Sequence, residues 1–218
     1  GKGYRTPYAI ADNSYLLASG RQLVFSGNSE MEEAWNYGIS FTKYLHLNNK
    51  ELTAVVDIYR TAFQKQLIID IDTDPTAVYF RNLEGKSYAN NYQAEIKYEP
   101  VKNLEMNVAY RYSDVKVTIQ DQLVEKALVN QYKGLFTLSY QTNNKSWQMD
   151  YNVQLNGDGR LPGFQDEVER YPSYVLMSGQ ITKYFKSFDI YGGVENITGY
   201  VQENPVINAE NPFSDTFD

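Results

Sequence analysis

Residues Ser146 to Gly157, SWQMDYNVQLNG, alternate without a break. Trp147, Met149, Tyr151, Val153 and Leu155 are apolar or aromatic; Gln148, Asp150, Asn152, Gln154 and Asn156 are amides or a carboxylate. A period of two is the signature of an extended strand whose faces meet different surroundings. The same pattern returns along the chain. Trp35, Tyr37, Ile39 and Phe41 oppose Asn36, Gly38, Ser40 and Thr42; Leu52, Ala54, Val56 and Ile58 oppose Thr53, Val55, Asp57 and Tyr59. Tyr88, Tyr92, Ala94, Ile96 and Tyr98 alternate with Asn91, Gln93, Glu95 and Lys97. Leu104, Met106, Val108, Tyr110 and Tyr112 oppose Glu105, Asn107, Arg111 and Ser113. Tyr132 to Tyr140, Tyr174 to Tyr184 and Phe188 to Thr198 complete about eight expected strands, with little helical periodicity between them.

The connections alternate between short and long. Tight turns fall at 47–50, 100–103, 142–145 and 186–187. Longer excursions fall near 65–86, 114–130, 157–172 and 199–218. In an up-and-down meander every second connection lies at the same end of the sheet. One end therefore carries only tight turns and the other every long loop, as in outer-membrane barrels. The strands reach the roughly 10 residues that a tilted strand needs to cross a bilayer. Aromatic residues gather toward the ends of the apolar face, at Trp35, Tyr44, Tyr88, Tyr92, Tyr98, Tyr132, Tyr140 and Trp147, which suits two interfacial girdles. The fold class expected is all-β: an antiparallel up-and-down meander forming part of a transmembrane β-barrel.

Composition narrows the alternatives. The 20 Tyr, 10 Phe and 2 Trp favour β structure. A net charge of −7 argues against nucleic acid. The chain has no cysteine and a single histidine, His46. Disulfides, thiol catalysis and Cys-type zinc sites are excluded, and a His-based metal site or a Ser-His-Asp triad is disfavoured. No apolar run is long enough for a membrane helix, which leaves strands as the means of crossing.

The loops carry more than spacing. GKGYRTP (1–7), LASGR (17–21), DIYRTAFQKQLIIDID (57–72), NLEGKSY (82–88), AYRYSDVKVT (109–118), GDGRLP (157–162), VENIT (194–198) and NPF (211–213) follow one another in order. Together they resemble the C-terminal barrel portion of TonB-dependent outer-membrane receptors. The resemblance covers nearly all of residues 1–218. It implies a barrel of about 22 strands closed by a plug. It also implies binding and import of a scarce nutrient (an iron chelate, a cobalamin, a metal or a glycan), driven by TonB through the plug, and no enzymatic chemistry. The plug, a TonB box and the usual last strand, which ends in an aromatic residue, are not found in this sequence. The chain reads as a fragment of something longer, in contact with outer-membrane lipid.

Candidate sites follow. Asp70, Asp72 and Asp74 have the spacing that opens a calcium loop, but Pro75 and Arg81 stand where an EF-hand needs Gly and Glu. The expectation is a solvated acidic loop or a looser structural calcium site; no other cofactor is expected. Asn156-Gly157-Asp158-Gly159-Arg160 lacks the P-loop Lys-Ser/Thr and reads as a strand end and tight loop. At an extracellular mouth, Asp158 and Arg160 would touch a ligand or pair with each other. Glu95, Lys97, Glu105, Arg111 and Asp150 are expected on the lumen side, facing a plug or a passage, or forming a cross-strand ion-pair ladder. Two other readings stay open. One is a soluble Tyr-rich β module binding carbohydrate, with its apolar rows buried against each other. The other is an oligomeric structural β protein whose edges are completed by another chain.

Overall fold

A computed structural model describes residues 1–26, 30–163 and 169–202. In chain order the strands are β1 (Lys2–Arg5), β2 (Gln22–Ser26), β3 (Glu32–Leu47), β4 (Lys50–Lys65) and β5 (Leu67–Asp70). There follow β6 (Ala77–Asn82), β7 (Ser87–Val101), β8 (Leu104–Ile119), β9 (Gln122–Glu125) and β10 (Tyr132–Gln141). The last are β11 (Trp147–Asn156), β12 (Gly159–Arg160), β13 (Arg170–Tyr171), β14 (Tyr174–Tyr184) and β15 (Asp189–Val194). Nine of them form one antiparallel path, β1-β3-β4-β7-β8-β10-β11-β14-β15, and β9 folds back on the far end of β8. All eight expected strands are present in the expected up-and-down order. The last excursion, from 203 on, and the motif at 211–213 lie outside the described residues, as do residues 164–168.

Register fixes the two faces. One row runs Ala54, Ile96, Val108, Phe136, Val153, Met177, each directly opposite the next across the ladder. A second runs Ile39, Ile58, Tyr92, Tyr112, Tyr132. The opposite face carries Thr53, Lys97, Asn107, Thr137, Asn152, Ser178. Among the described residues no second layer covers the apolar face: Ile39 is 66% exposed, and Phe41, Ile96, Val108, Met149 and Ile181 are exposed too. The soluble module expected burial of these rows against each other, and that expectation fails here. Tyr132 and Tyr140 bound the apolar face of β10, about 27 Å apart along a strand rising about 3.4 Å per residue, against a lipid-facing band about 25 Å tall.

Tight turns sit where the backbone needs them. Asn48 and Asn49 both hold left-handed φ (52° and 59°), which two-residue hairpin turns require and asparagine tolerates. Asn103 (φ 65°) serves the β7–β8 turn. Gly38 is needed for a different reason. It lies opposite Tyr59, and a Cβ there would come within 2.5 Å of the Tyr59 ring. The glycine gives the ring room to lie across the neighbouring strand.

Three expectations need correction. Tyr44 does not join the apolar-face aromatics. It pairs with Thr53 on the polar face, because nine residues of unbroken strand separate it from Trp35 and an odd step inverts the face. The excursion at 114–130 is largely strand: β8 runs on to Ile119 and turns at Gln120-Asp121 into β9. The excursion at 65–86 holds β5 and β6.

Most of the buried core lies outside the large sheet, Val117 of β8 excepted. It lies at the long-loop end, where β2 and β6 pair in parallel and β5 joins β6 antiparallel. Val78 is 0% exposed, and Phe80, Ile71, Leu16 and Ala127 are buried with it; Leu23, Leu67 and Ile69 pack against them. Phe25 stacks on Phe80 with ring centroids 4.5 Å apart. This small cap, with a kinked 3₁₀ stretch at Ala11–Ala18, is tied to the large sheet through the Leu67 N–H, which donates to Glu32 Oε1 at 3.1 Å.

Candidate functional site

Glu95, Lys97, Glu105, Arg111 and Asp150 all fall on the polar face, since every one is an even step from Thr53, Thr137 or Asn107 along or across the ladder. They do not form a cross-strand ion-pair ladder. Lys97 Nζ lies 3.5 Å from Glu95 Oε1 within one strand. Glu105 sits in a row with Ser139 and Asp150, where Ser139 Oγ donates to Asp150 Oδ1 at 2.6 Å and Gln148 Nε2 donates to both its oxygens at 3.0 Å. Arg111 sits in another row, between Gln93 and Lys133. Glu105 and Asp150 thus share a row that holds neither Lys97 nor Arg111, and the Asp150 carboxylate is satisfied by hydrogen bonds. The Asn107 Oδ1 atom is buried without a hydrogen-bond partner.

The three aspartates do not converge. Asp70 is 1% exposed and accepts from the Asp72 and Thr73 N–H groups, both at 3.0 Å, and from the Thr73 hydroxyl, with Arg81 Nη2 at 3.6 Å. It is the hinge of a local turn. Asp74 accepts from the Thr76 N–H at 2.8 Å and its hydroxyl at 2.7 Å. Those bonds, the backbone one first, hold the Asp74 carboxyl below its ordinary pKa. Asp72 turns toward a different loop. Among the described residues no group of three or more acidic or histidine side chains is placed to share a metal ion. The calcium expectation finds no converging ligand set.

Arg160 and Asp158 do not pair with each other. The Arg160 guanidinium grips Asp72 with two parallel bonds, Nη1 to Oδ1 at 2.9 Å and Nη2 to Oδ2 at 2.6 Å. The pair is desolvated, with side chains 9% and 12% exposed. Arg160 Nε also donates to the Glu125 carbonyl at 2.7 Å, and the Gly163 N–H donates to Asp72 Oδ1 at 3.0 Å. Planar two-pronged bonding of this kind is what arginine provides and lysine does not. Asp158 instead takes Arg170, whose Nε lies 2.7 Å from Asp158 Oδ2. The other arm of Arg170 reaches Glu125, Nη1 to Oε2 at 3.0 Å and Nη2 to Oε1 at 3.2 Å. The Glu125 carboxylate first, and then Asp158, hold Arg170 even further above its usual pKa. The residues expected to meet a ligand thus tie the loop after β5, the β8–β9 hairpin and the β12–β13 hairpin into one block. Sequence reasoning passed over Glu125 and Arg170. Neither belongs to a motif, and nothing local signals a partner 45 residues away.

Comparisons with known proteins agree with this architecture. The family model described as TonB dependent receptor-like, beta-barrel matches residues 1–197. Among curated proteins no sequence matches the chain. Several solved structures share the fold. The copper transporter OprC aligns with a TM-score of 0.65 at 13% identity, over 92% of this chain and 30% of that one. The FrpB iron transporter from Neisseria meningitidis aligns with a TM-score of 0.59 at 15% identity, over 91% of this chain and 31% of that one. The ferric enterobactin receptor PfeA from Pseudomonas aeruginosa aligns with a TM-score of 0.59 at 12% identity, over 90% and 29%. The chain spans about a third of the length of these proteins. With its family model matched over most of its length and its sheet order that of a barrel meander, the chain belongs to the TonB-dependent receptor β-barrel family.

Proposed function

We propose that this chain is the barrel segment of a nutrient receptor in the outer membrane of a Gram-negative bacterium. The whole receptor binds a scarce small molecule, metal or glycan outside the cell and imports it. TonB acts through a plug domain outside this chain. The family is one of transporters rather than enzymes. The observation that carries the reading is the bare apolar face. A sheet that exposes Ile39, Phe41, Ile96, Val108 and Met149 in unbroken rows needs an apolar solvent, and hydrocarbon is that solvent. On the same reading Glu95, Lys97, Glu105, Arg111 and Asp150 face the passage or the plug. The solved structures of similar fold are an iron transporter, a copper transporter and a ferric enterobactin receptor, which supports import as the activity.

The test is fractionation of source cells with an alkaline wash of the membranes, followed by a blot with an antibody to this chain. Retention in the washed outer-membrane fraction is the expected result. Recovery in the soluble fraction overturns the reading.

A further inference from the structure

The loop cap leaves a space unfilled. Between β5 and the face of β7 and β8 that carries Gln93 and Arg111 lies a cavity of about 610 Å³, within the size range of small-molecule sites. That face is polar lower down. Here it turns aliphatic: Ala89, Val115, Val117 and Ile119 lie on the same side of the sheet as Gln93 and Arg111. Leu67 and Ile69 of β5 form the opposite wall.

Two charged side chains line the cavity, Asp72 and Lys126. Asp72 is occupied by Arg160. Lys126 makes no side-chain hydrogen bond or ion pair with any described residue, though its backbone N–H is fixed on the Val115 carbonyl at 2.9 Å. Leu128, two residues on, also lines the space. It holds a left-handed φ of 60°, which a bulky side chain rarely adopts, and is 52% exposed. Its N–H is held by the Arg160 carbonyl at 2.9 Å. A left-handed, poorly buried leucine and an exposed ammonium with no partner among the described residues thus stand beside a largely aliphatic hollow.

We propose that this cavity receives the apolar body of a small organic anion, with its anionic group on Lys126. The proposal rests on the receptor reading and names the class of molecule bound by this part of it. Other cargo chemistries fit the hollow poorly. Among the described residues no group of three or more histidine or carboxylate side chains stands there to hold a bare metal ion. Asn13, Tyr15, Gln66 and Ser87 also line the space, but Asn13 donates to the Ala9 carbonyl and Ser87 to Gln66, so a glycan finds few partners to replace water. An aryl or alkyl body gains by leaving water, and the free ammonium discriminates for a carboxylate or sulfonate over a neutral analogue.

The experiment uses the full-length receptor that contains this chain, in lipid nanodiscs, with the photoprobe 4-benzoylbenzoate. Its neutral counterpart is 4-(hydroxymethyl)benzophenone. Cross-linked peptides are mapped by mass spectrometry. The expected result is anionic-probe labelling within residues 67–71 and 115–129. Lys126→Gln lowers it about tenfold, the equivalent of one charge-assisted hydrogen bond. Lys126→Arg keeps it, and the neutral probe is indifferent to both changes. Labelling confined to the lipid-facing rows, or equal in wild type and Lys126→Gln, overturns the proposal. The source membranes are fractionated in parallel. A receptor found in the outer membrane without Lys126-dependent labelling loses the cavity proposal alone. A soluble protein with Lys126-dependent labelling loses the receptor reading and keeps the ligand class.

Discussion

Arg160 and Asp72 meet through two parallel bonds although 88 residues separate them in the chain. The contact is the keystone of the loop block, because the same arginine also holds the Glu125 carbonyl and the same aspartate the Gly163 N–H. Removing one partner strands a buried charge. Asp72→Asn is expected to destabilise the loop block by about 3–5 kcal/mol. Hydrogen exchange would show this as faster exchange in 67–72 and 159–163, with β10 and β11 unchanged. The double variant Asp72→Ala/Arg160→Ala should cost less than the two single changes added together, as neither charge is then left alone.

Gly38 and Tyr59 give a prediction about the sheet itself. A methyl group at position 38 collides with the Ile58 carbonyl oxygen and with the ring of Tyr59. Gly38→Ala is expected to destabilise the folded barrel by about 1–3 kcal/mol, the usual range for overpacking. Urea titration of the receptor folded in lipid vesicles measures it. Removing the ring, in Gly38→Ala/Tyr59→Ala, should recover part of the loss.

The two faces of β8 and β10 should respond oppositely to charge. Val108 and Phe136 lie opposite each other in the apolar row midway between Tyr132 and Tyr140. Val108→Arg is expected to cost about 2–4 kcal/mol in lipid. Thr137→Arg, one residue along from Phe136 and on the other face, should cost far less. Equal penalties in the same vesicle assay would contradict the assignment of faces.

The Asp74 turn should be sensitive to acid. Its carboxyl has a lowered pKa in the folded state, so the stability it adds is fully present above the ordinary carboxylate value of about 3.9. That stability is lost as the pH falls through the lowered value. Hydrogen exchange at the Thr76 amide, which Asp74 accepts, should rise relative to its neighbours over that range. Asp74→Asn should remove the pH dependence.

How far the sequence reveals all this depends on the range of each signal. Period two is local, so β3, β4, β7, β8, β10, β11 and β14 could be read directly from their side-chain alternation. β1 could not: Lys-Gly-Tyr-Arg has one apolar residue and no repeat to count. The cap strands β5 and β6 also escaped, because Leu67-Ile68-Ile69 runs apolar on both sides, as a strand in a buried layer does. Parity exposes the Tyr44 error, since the strand has no bulge between Ala34 and Leu47 to change the count. The clamp was invisible for a different reason. Asp72 in a D-x-D-x-D run looks like a metal ligand, and Arg160 in a Gly-rich turn looks like a loop tip. Only the fold brings them within 3 Å of each other.

The placement of the buried core has one more consequence. Val78, Phe80 and Leu16 are shielded by protein, whereas the long strands rely on their surroundings for an apolar partner. Two parts of one chain are thus held together by different means. On the proposed reading, changing acyl-chain length or swapping lipid for detergent is expected to act on the rows of β7 to β14 more than on the cap. Urea in the aqueous phase reaches the cap directly. On the proposed reading, the loop end of this chain is expected to loosen without disturbing the long strands.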